Sequence, residues 1–438
     1  MILAHFTLTP GPKDLTQTVA ALLTAYQDSD TYAYERNGTW YLGLGSAVSM
    51  GINADGTECS TTKDGKEETH AVNEPLADIA RKFMSEHSTA DHVVFGQVGF
   101  NYAAHIRGQT YTPGQWPLLS LMVPRVRVRL DRDSVEVNGS DEREVEDLRA
   151  LLKSGVDIAR AVRSQSVDTM DFSGQYTAQV ERALAEMQAG LYTKVILSRI
   201  VELTDSVDIP ATLLCGRGAN IPARTFSLNH AGFRAMGFSP ELVMSVQDGM
   251  VSTEPLAGTR SRMGTAEEIE RLKRELVRDP KEIVEHVISV KEAIAELQRI
   301  CPADSVKVDD FMLVKARGSV QHLGSRVSGC LERNKDAWDA LGELFPSITA
   351  TGIPKDAALE AIQRLESRPR ELYSGAVLML EGSDTMEAAL VLRSVFQDKS
   401  RRWIQAGAGV ISQSNAEREL TETREKLGSI APFVMAGV

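Results

Sequence analysis

Hydrophobic and polar positions follow two rhythms along this chain, and the rhythms assign the elements. Strict alternation marks a half-buried strand and is clearest in Arg125-Val-Arg-Val-Arg-Leu130. Runs rich in aromatic and β-branched residues predict strands at Thr31 to Glu35, Thr39 to Leu44, around Val94 and at Leu118 to Val123. Asn37-Gly38 and Asp64-Gly65 are hairpin signals. Leu76 to Glu86 reads as a short helix. Glu142 to Val162 reads as a longer one after the turn Asn138 to Asp141, with an acidic, solvated first turn.

The second half has stronger periodicity. A helix at Tyr176 to Ala189 leads into an apolar strand, Lys194 to Leu203. Residues 224–254 read as a meander with Asp248-Gly249 as one of its turns. Thr265-Ala-Glu-Glu268 reads as a capping box opening a charged helix. In helix 280–300 the apolar residues Ile283, Val287, Val290, Ile294 and Leu297 step by four and three. Strands follow at Phe311 to Arg317, Ser319 to Gly324, Gly375 to Glu381, Ala388 to Val395 and Trp403 to Ile411. Helices are expected at Ala337 to Leu344, Ala357 to Leu365 and Ala416 to Val434. Thr253 to Arg260 is expected to be a small-residue connection whose backbone can approach a ligand. Helices are not inserted regularly between strands, so the class is α/β in the broad, α+β sense, paired mainly by meanders.

Composition narrows the function. The 438 residues allow two or three ordinary domains or one large one. The polar stretch Arg163 to Gly174 is the best linker candidate. A formal charge of −12 argues against nucleic acid and anionic membrane as main partners. An anionic substrate then needs a local basic pocket or a metal. The four scattered cysteines form no CxxC pair, which fits a reducing compartment and excludes a cysteine zinc cluster. No basic region followed by a long apolar run opens the chain, and no run approaches the ~20 apolar residues of a membrane span. The expected compartment is the cytoplasm.

Several residues could carry chemistry, and each has a plainer reading beside it. In Asp279-Pro-Lys-Glu-Ile-Val-Glu-His286, Asp279 can cap a helix and Pro280 suits its first position. Glu282 and Glu285 then share one side of that helix, as a solvated face or as half of a hard-cation site. At about 100° per residue, Glu419, Glu422 and Lys426 fall in a narrow arc of the last helix, away from Leu420 and Leu427. They form either an exposed i, i+4 pair or the complementary half of that site. Lys194 is a strand-edge lysine or a neutral base. Glu241 is a solvated turn residue or, if turned into a cleft, a general acid. His322 is a satisfied core histidine or a pocket residue. Ala406-Gly-Ala-Gly409 matches neither a dinucleotide nor a Walker fingerprint.

Taken in order, these segments resemble the chorismate-utilising enzymes, namely the anthranilate, aminodeoxychorismate, isochorismate and salicylate synthases. The resemblance rests on KVILSR (194–199), FSPEL (238–242), TEPLAGTR (253–260), KEIVEH (281–286), RGSVQHLGS (317–325), TATGIPK (349–355), ELYSGAV (371–377), AGAG (406–409) and ERELTETREKL (417–427). It covers about residues 175–435 and is greatest toward the salicylate synthases of siderophore pathways. It implies one large domain over 1–438, with antiparallel sheets packed as a sandwich, helices outside, and 1–175 completing the core of the motif-bearing half. It implies chorismate as substrate and Mg²⁺ as cofactor, held by Glu285 and Glu422 with Glu282 and Glu419 in support. That donor set suits a hard cation. Lys194 matches the family's base and Glu241 its acid. Tyr373 and Arg393 match positions that hold the enolpyruvyl carboxylate. Gly258, Thr259 and the Gly407, Ala408, Gly409 backbone would pack on the substrate. Lys426 would pair with a carboxylate, and His322 and Thr349 would line the ring pocket.

Lys194 favours water as nucleophile, since the ammonia users usually carry glutamine there. No amidotransferase subunit is expected, and the chain is taken as a monomer. Thr349 favours a member that also cleaves isochorismate over an isochorismate synthase. A non-catalytic chorismate-binding protein is the alternative of another class, and the joint presence of Lys194, Glu241, Glu285 and Glu422 argues against it.

Overall fold

The computed structural model describes residues 4–9, 11, 14–88, 92–154, 163–171, 173–382 and 385–437. Most of its strands form one long antiparallel ladder. From one end it runs through Lys307–Arg317, Val320–Cys330, Met250–Thr253, Leu242–Gln247, Thr385–Leu390, Ala376–Glu381 and Val93–Val98. It continues through Leu119–Leu130, Thr39–Ile52, Thr31–Arg36, Arg224–His230, Phe233–Ser239, Ser394–Gln397 and Arg402–Ile411 to Lys194–Glu202.

This ladder folds on itself so that the apolar side chains of one face are enclosed, successive side chains on a strand pointing to opposite faces. Tyr32 and Tyr34, Phe226, Phe396 and Trp403 pack with Phe95, Met122, Val377, Met379 and Ala389 in one internal layer. The residues between them face outward. Val94, Val98, Leu378 and Leu380 meet the helices Leu76–His87, Gln175–Gln188, Pro280–Leu297, Ala337–Leu344 and Lys355–Leu365. Ala33, Leu42, Leu44 and Ile404 meet Leu15–Ala25, Glu142–Ser154, Ile209–Arg217 and Ala416–Leu427. The result is the expected sandwich with helices outside. No helix among the described residues is long and apolar enough to cross a membrane.

Several elements differ from the sequence reading, each for a local reason. The strands expected on either side of Pro124 are one strand, Leu119–Leu130. Pro124 lacks an N–H, and it sits opposite Ser46, where the partner's register shifts between Ser46 and Val48. The 224–254 meander is two hairpins. Phe233–Ser239 pairs onward with Ser394–Gln397, and Leu242–Gln247 with Thr385–Leu390. The strand expected at 388–395 is broken in two around Arg393, whose φ of 53° no regular strand accommodates. The expected connection 253–260 contains a strand, Leu256–Ser261, with a bulge between Ala257 and Thr259. The last helix ends at Leu427. Thr265 caps the Glu268 N–H, while a complete reciprocal capping box occurs at Asp336 and Asp339. The expected helix 142–162 is seen as Glu142–Ser154, and 155–162 lie outside the described residues, as does 172 of the linker. Arg163 and Ser164 of that linker pair with Met435 and Ala436.

Candidate active site

Lys194 opens the strand Lys194–Glu202 and is almost wholly buried, at 1 % exposure. Its Nζ lies 3.1 Å from Glu285 Oε1 and donates to Ser289 Oγ at 3.1 Å. Both partners stand on the helix Pro280–Leu297. That helix begins where expected, since Asp279 accepts from the N–H groups of Lys281 and Glu282 and Pro280 holds the first position. The approach of Glu285 depends on Gly409, where a Cβ would stand 2.7 Å from Glu285 Oε1. Gly258, with a φ of 78°, forms the bulge in Leu256–Ser261 and lets the Thr259 N–H donate to Glu282 Oε2 at 2.8 Å.

Glu241 is fully buried between the strands Phe233–Ser239 and Leu242–Gln247. Its Oε1 accepts from Ser347 Oγ at 3.0 Å, and its buried Oε2 has no partner. Burial pushes its carboxyl up to about 8, so it holds a proton at neutral pH. Lys194 and Glu241 line one cavity of about 700 Å³, counting the part open to solvent. Of the other residues singled out in the sequence, Gly258, Thr259, Glu285, His322, Thr349, Tyr373, Arg393, Gly407, Gly409, Glu422 and Lys426 line it as well.

Three do not. Ala408 alternates with Gly407 and Gly409 on Arg402–Ile411, so it is buried on the strand's other face. Glu282 and Glu419 are buried behind the wall, around Lys281.

One side of the cavity is basic. Arg393 is buried, donates to Arg317 O at 2.8 Å and to His322 Nε2 at 2.7 Å, and has no ion-pair partner among the described residues. Burial, with Arg317 nearby, lowers its guanidinium to about 9. Burial and the charge of Arg393 hold His322 well below its usual range, so its Nε2 accepts. His322 Nδ1 then carries the hydrogen toward Thr259 Oγ1 and Gly258 O. Burial likewise raises Tyr373. Thr349 Oγ1 donates to Leu256 O, fastening its loop to the bulged strand.

The opposite side is acidic. Glu282, Glu285, Glu419 and Glu422 are all buried. Burial opposes ionisation of Glu422, but Lys426 at 2.8 Å outweighs it and holds the carboxyl below its ordinary value. Lys426 also donates to Gly407 O. Burial and the neighbouring Glu422 push Glu419 up to about 7, and its Oε2 is buried without a partner. Burial disfavours charge on Lys281, yet Glu419, Glu285, Glu282 and Glu422 together raise it. Arg260 donates to Glu282 Oε1 at 2.8 Å. Among the described residues no three His, Cys, Asp or Glu side chains converge closely enough to hold an ion as they stand, and lysines contact Glu285, Glu419 and Glu422 directly. The chemistry of the set nonetheless fits a divalent cation. It offers carboxylate oxygens, the hard donors such an ion prefers, and one of them is buried without a partner.

Sequence reasoning missed Ser347, Ser289, Lys281 and Arg260. The last two lie inside quoted motifs. The serines carry no periodic or charge signal and are found only through their partners.

A buried lysine and a protonated glutamate thus line one cavity, between a basic wall and an acidic one. The chain matches the chorismate binding enzyme family over residues 29–432. A salicylate synthase of Mycolicibacterium paratuberculosis is 39% identical over 97% of this chain and 94% of its own length. Component 1 of anthranilate synthase from Mycolicibacterium smegmatis is 32% identical over 70% of this chain and 63% of its own. The menaquinone-specific isochorismate synthase of Escherichia coli superposes with a TM-score of 0.74 at 20% identity, over 98% of this chain and 94% of that one. This protein therefore belongs to the chorismate-binding enzymes.

Proposed function

We propose that this protein is a salicylate synthase, converting chorismate through isochorismate to salicylate and pyruvate. The observation that carries the reading is the pairing of buried Lys194 with protonated Glu241 across one cavity. Lys194, as the base, takes a proton from water as the water attacks ring C2. Glu241 gives its proton to the hydroxyl leaving C4. The Arg393 guanidinium, which has no ion-pair partner among the described residues, and Tyr373 hold the enolpyruvyl carboxylate, and Arg provides planar two-point recognition. Lys426 pairs with a carboxylate. Glu285 and Glu422 would hold Mg²⁺, supported by Glu282 and Glu419, and the bound ion would supply positive charge for the ring carboxylate. Isochorismate then loses pyruvate by an intramolecular hydrogen shift, for which the cavity contributes restraint.

The similarity to a salicylate synthase over nearly the whole chain supports this reading. A lysine at 194 favours water over ammonia, which speaks against anthranilate synthesis. Protein supplied with chorismate and Mg²⁺ should release salicylate and pyruvate in equal amounts, measured by chromatography. Isochorismate accumulating without pyruvate would show an isochorismate synthase instead.

A further inference from the structure

Ser347 stands just before the short turn Ile348–Ala350 and is buried. Its Oγ accepts from the Thr349 N–H at 3.3 Å, which caps the turn, and lies 3.0 Å from Glu241 Oε1. A hydroxyl has one hydrogen. Among the described residues no other acceptor contacts Ser347 Oγ, so that hydrogen points to Oε1. A Glu241 proton on Oε1 would displace it and strand a donor in the core, which is costly. The Thr349 hydroxyl does not compete, since its hydrogen goes to Leu256 O. Glu241 Oε2 is buried without a partner, on a side chain that lines the cavity.

Resting on the reading of Glu241 as the acid, we propose that Ser347 is a positioning residue that confines the Glu241 proton to Oε2, the oxygen left for the substrate. The proton that passes to the hydroxyl leaving C4 then departs from Oε2. The charge left behind spreads to Oε1, where the Ser347 hydrogen meets it. Without Ser347 the proton is free to sit on either oxygen, and the carboxylate formed on transfer loses a donor.

The placement has a readout that needs no turnover. At pH 6, below the value of about 8 to which burial carries Glu241, its carboxyl is protonated. Its C=O stretch is the infrared band lost in Glu241→Gln. A hydrogen bond into a carbonyl oxygen lowers that stretch, so Ser347→Ala should move the band to higher wavenumber. A band that stays in place would overturn the proposal, because it would put the carbonyl at Oε2, which has no donor to lose. Ser347→Ala should also lower kcat on chorismate about 10- to 100-fold, the worth of one buried donor. KM should not move, and salicylate release from supplied isochorismate should keep its wild-type rate, since that step uses no acid. Ser347→Thr keeps a hydroxyl and a cap and should restore both band and rate. Wild-type kcat in Ser347→Ala would overturn the proposal, as would equal losses on the two substrates, which a collapsed turn would give. A wild-type protein that makes no salicylate would refute the proposed function, while the band would still place the proton.

Discussion

At the scale of single residues, Glu241 makes the sharpest prediction. Its carboxyl is buried in the cavity wall with no ion-pair partner among the described residues, and burial carries it from 4.5 up to about 8. A general acid must hold its proton, so chorismate turnover should fall as pH rises through about 8. The sign for stability runs the same way. A carboxyl raised on folding favours the folded state fully below about 4.5, and that preference is lost as pH climbs through 8. Glu241→Gln keeps the shape and the acceptor for Ser347 but has no acidic proton. It should lower chorismate consumption by about 10²- to 10⁴-fold, the usual worth of a positioned acid. A pH–rate profile that stays level from 7 to 9.5, or an active glutamine variant, would remove Glu241 from the role.

At the scale of elements, the helix Pro280–Leu297 is fixed at both ends. Asp279 caps its start. Near its end Glu296 meets Lys355 Nζ at 2.7 Å, with both side chains buried. Burial pushes Glu296 up to about 7 and Lys355 down. Lys355 opens its own helix just after Gly352 and Ile353, which pair with Val195 and Lys194. The ion pair thus ties the carboxylate helix to the strand of the lysine. Lys355→Met leaves a buried carboxylate alone and should cost about 3–5 kcal/mol in a urea titration. Adding Glu296→Leu should recover most of it, and a single variant as stable as wild type would contradict this account.

The start of this helix was legible in the sequence, because Asp-Pro and the apolar steps are local signals. Its end partner was not, because a lysine and a glutamate 59 positions apart share no pattern. The same limit hid the break at Arg393. Its backbone is left-handed while its guanidinium contacts Arg317 O and His322, and hydropathy does not record φ. The helices Leu15–Ala25 and Ile209–Arg217 were overlooked, although Asp208 and Pro210 mark the start of the second.

At the scale of the whole molecule, the motifs and the ladder follow different orders. The residues that carry the resemblance come after 175, yet the ladder does not keep to that half. Thr31–Arg36 pairs with Arg224–His230, and Val93–Val98 pairs with Ala376–Glu381. The front strands Thr31–Arg36, Thr39–Ile52, Leu119–Leu130 and Val93–Val98 bridge the two parts of the back half. Tyr32 and Phe95 stack inside the shared internal layer, with ring centroids 5.8 Å apart. We propose on these grounds that the chain folds as one cooperative unit. A fragment of residues 176–438 would leave Arg224–His230 and Ala376–Glu381 with bare edges and expose Phe226, Val377 and Met379 to water. Open apolar edges favour association over folding. The fragment should aggregate or lack a near-ultraviolet dichroism signal, despite holding every residue assigned to catalysis. Mixed with residues 1–162 during refolding, it should recover soluble protein. A monomeric fragment that melts cooperatively on its own would show instead that the front half is an independent domain.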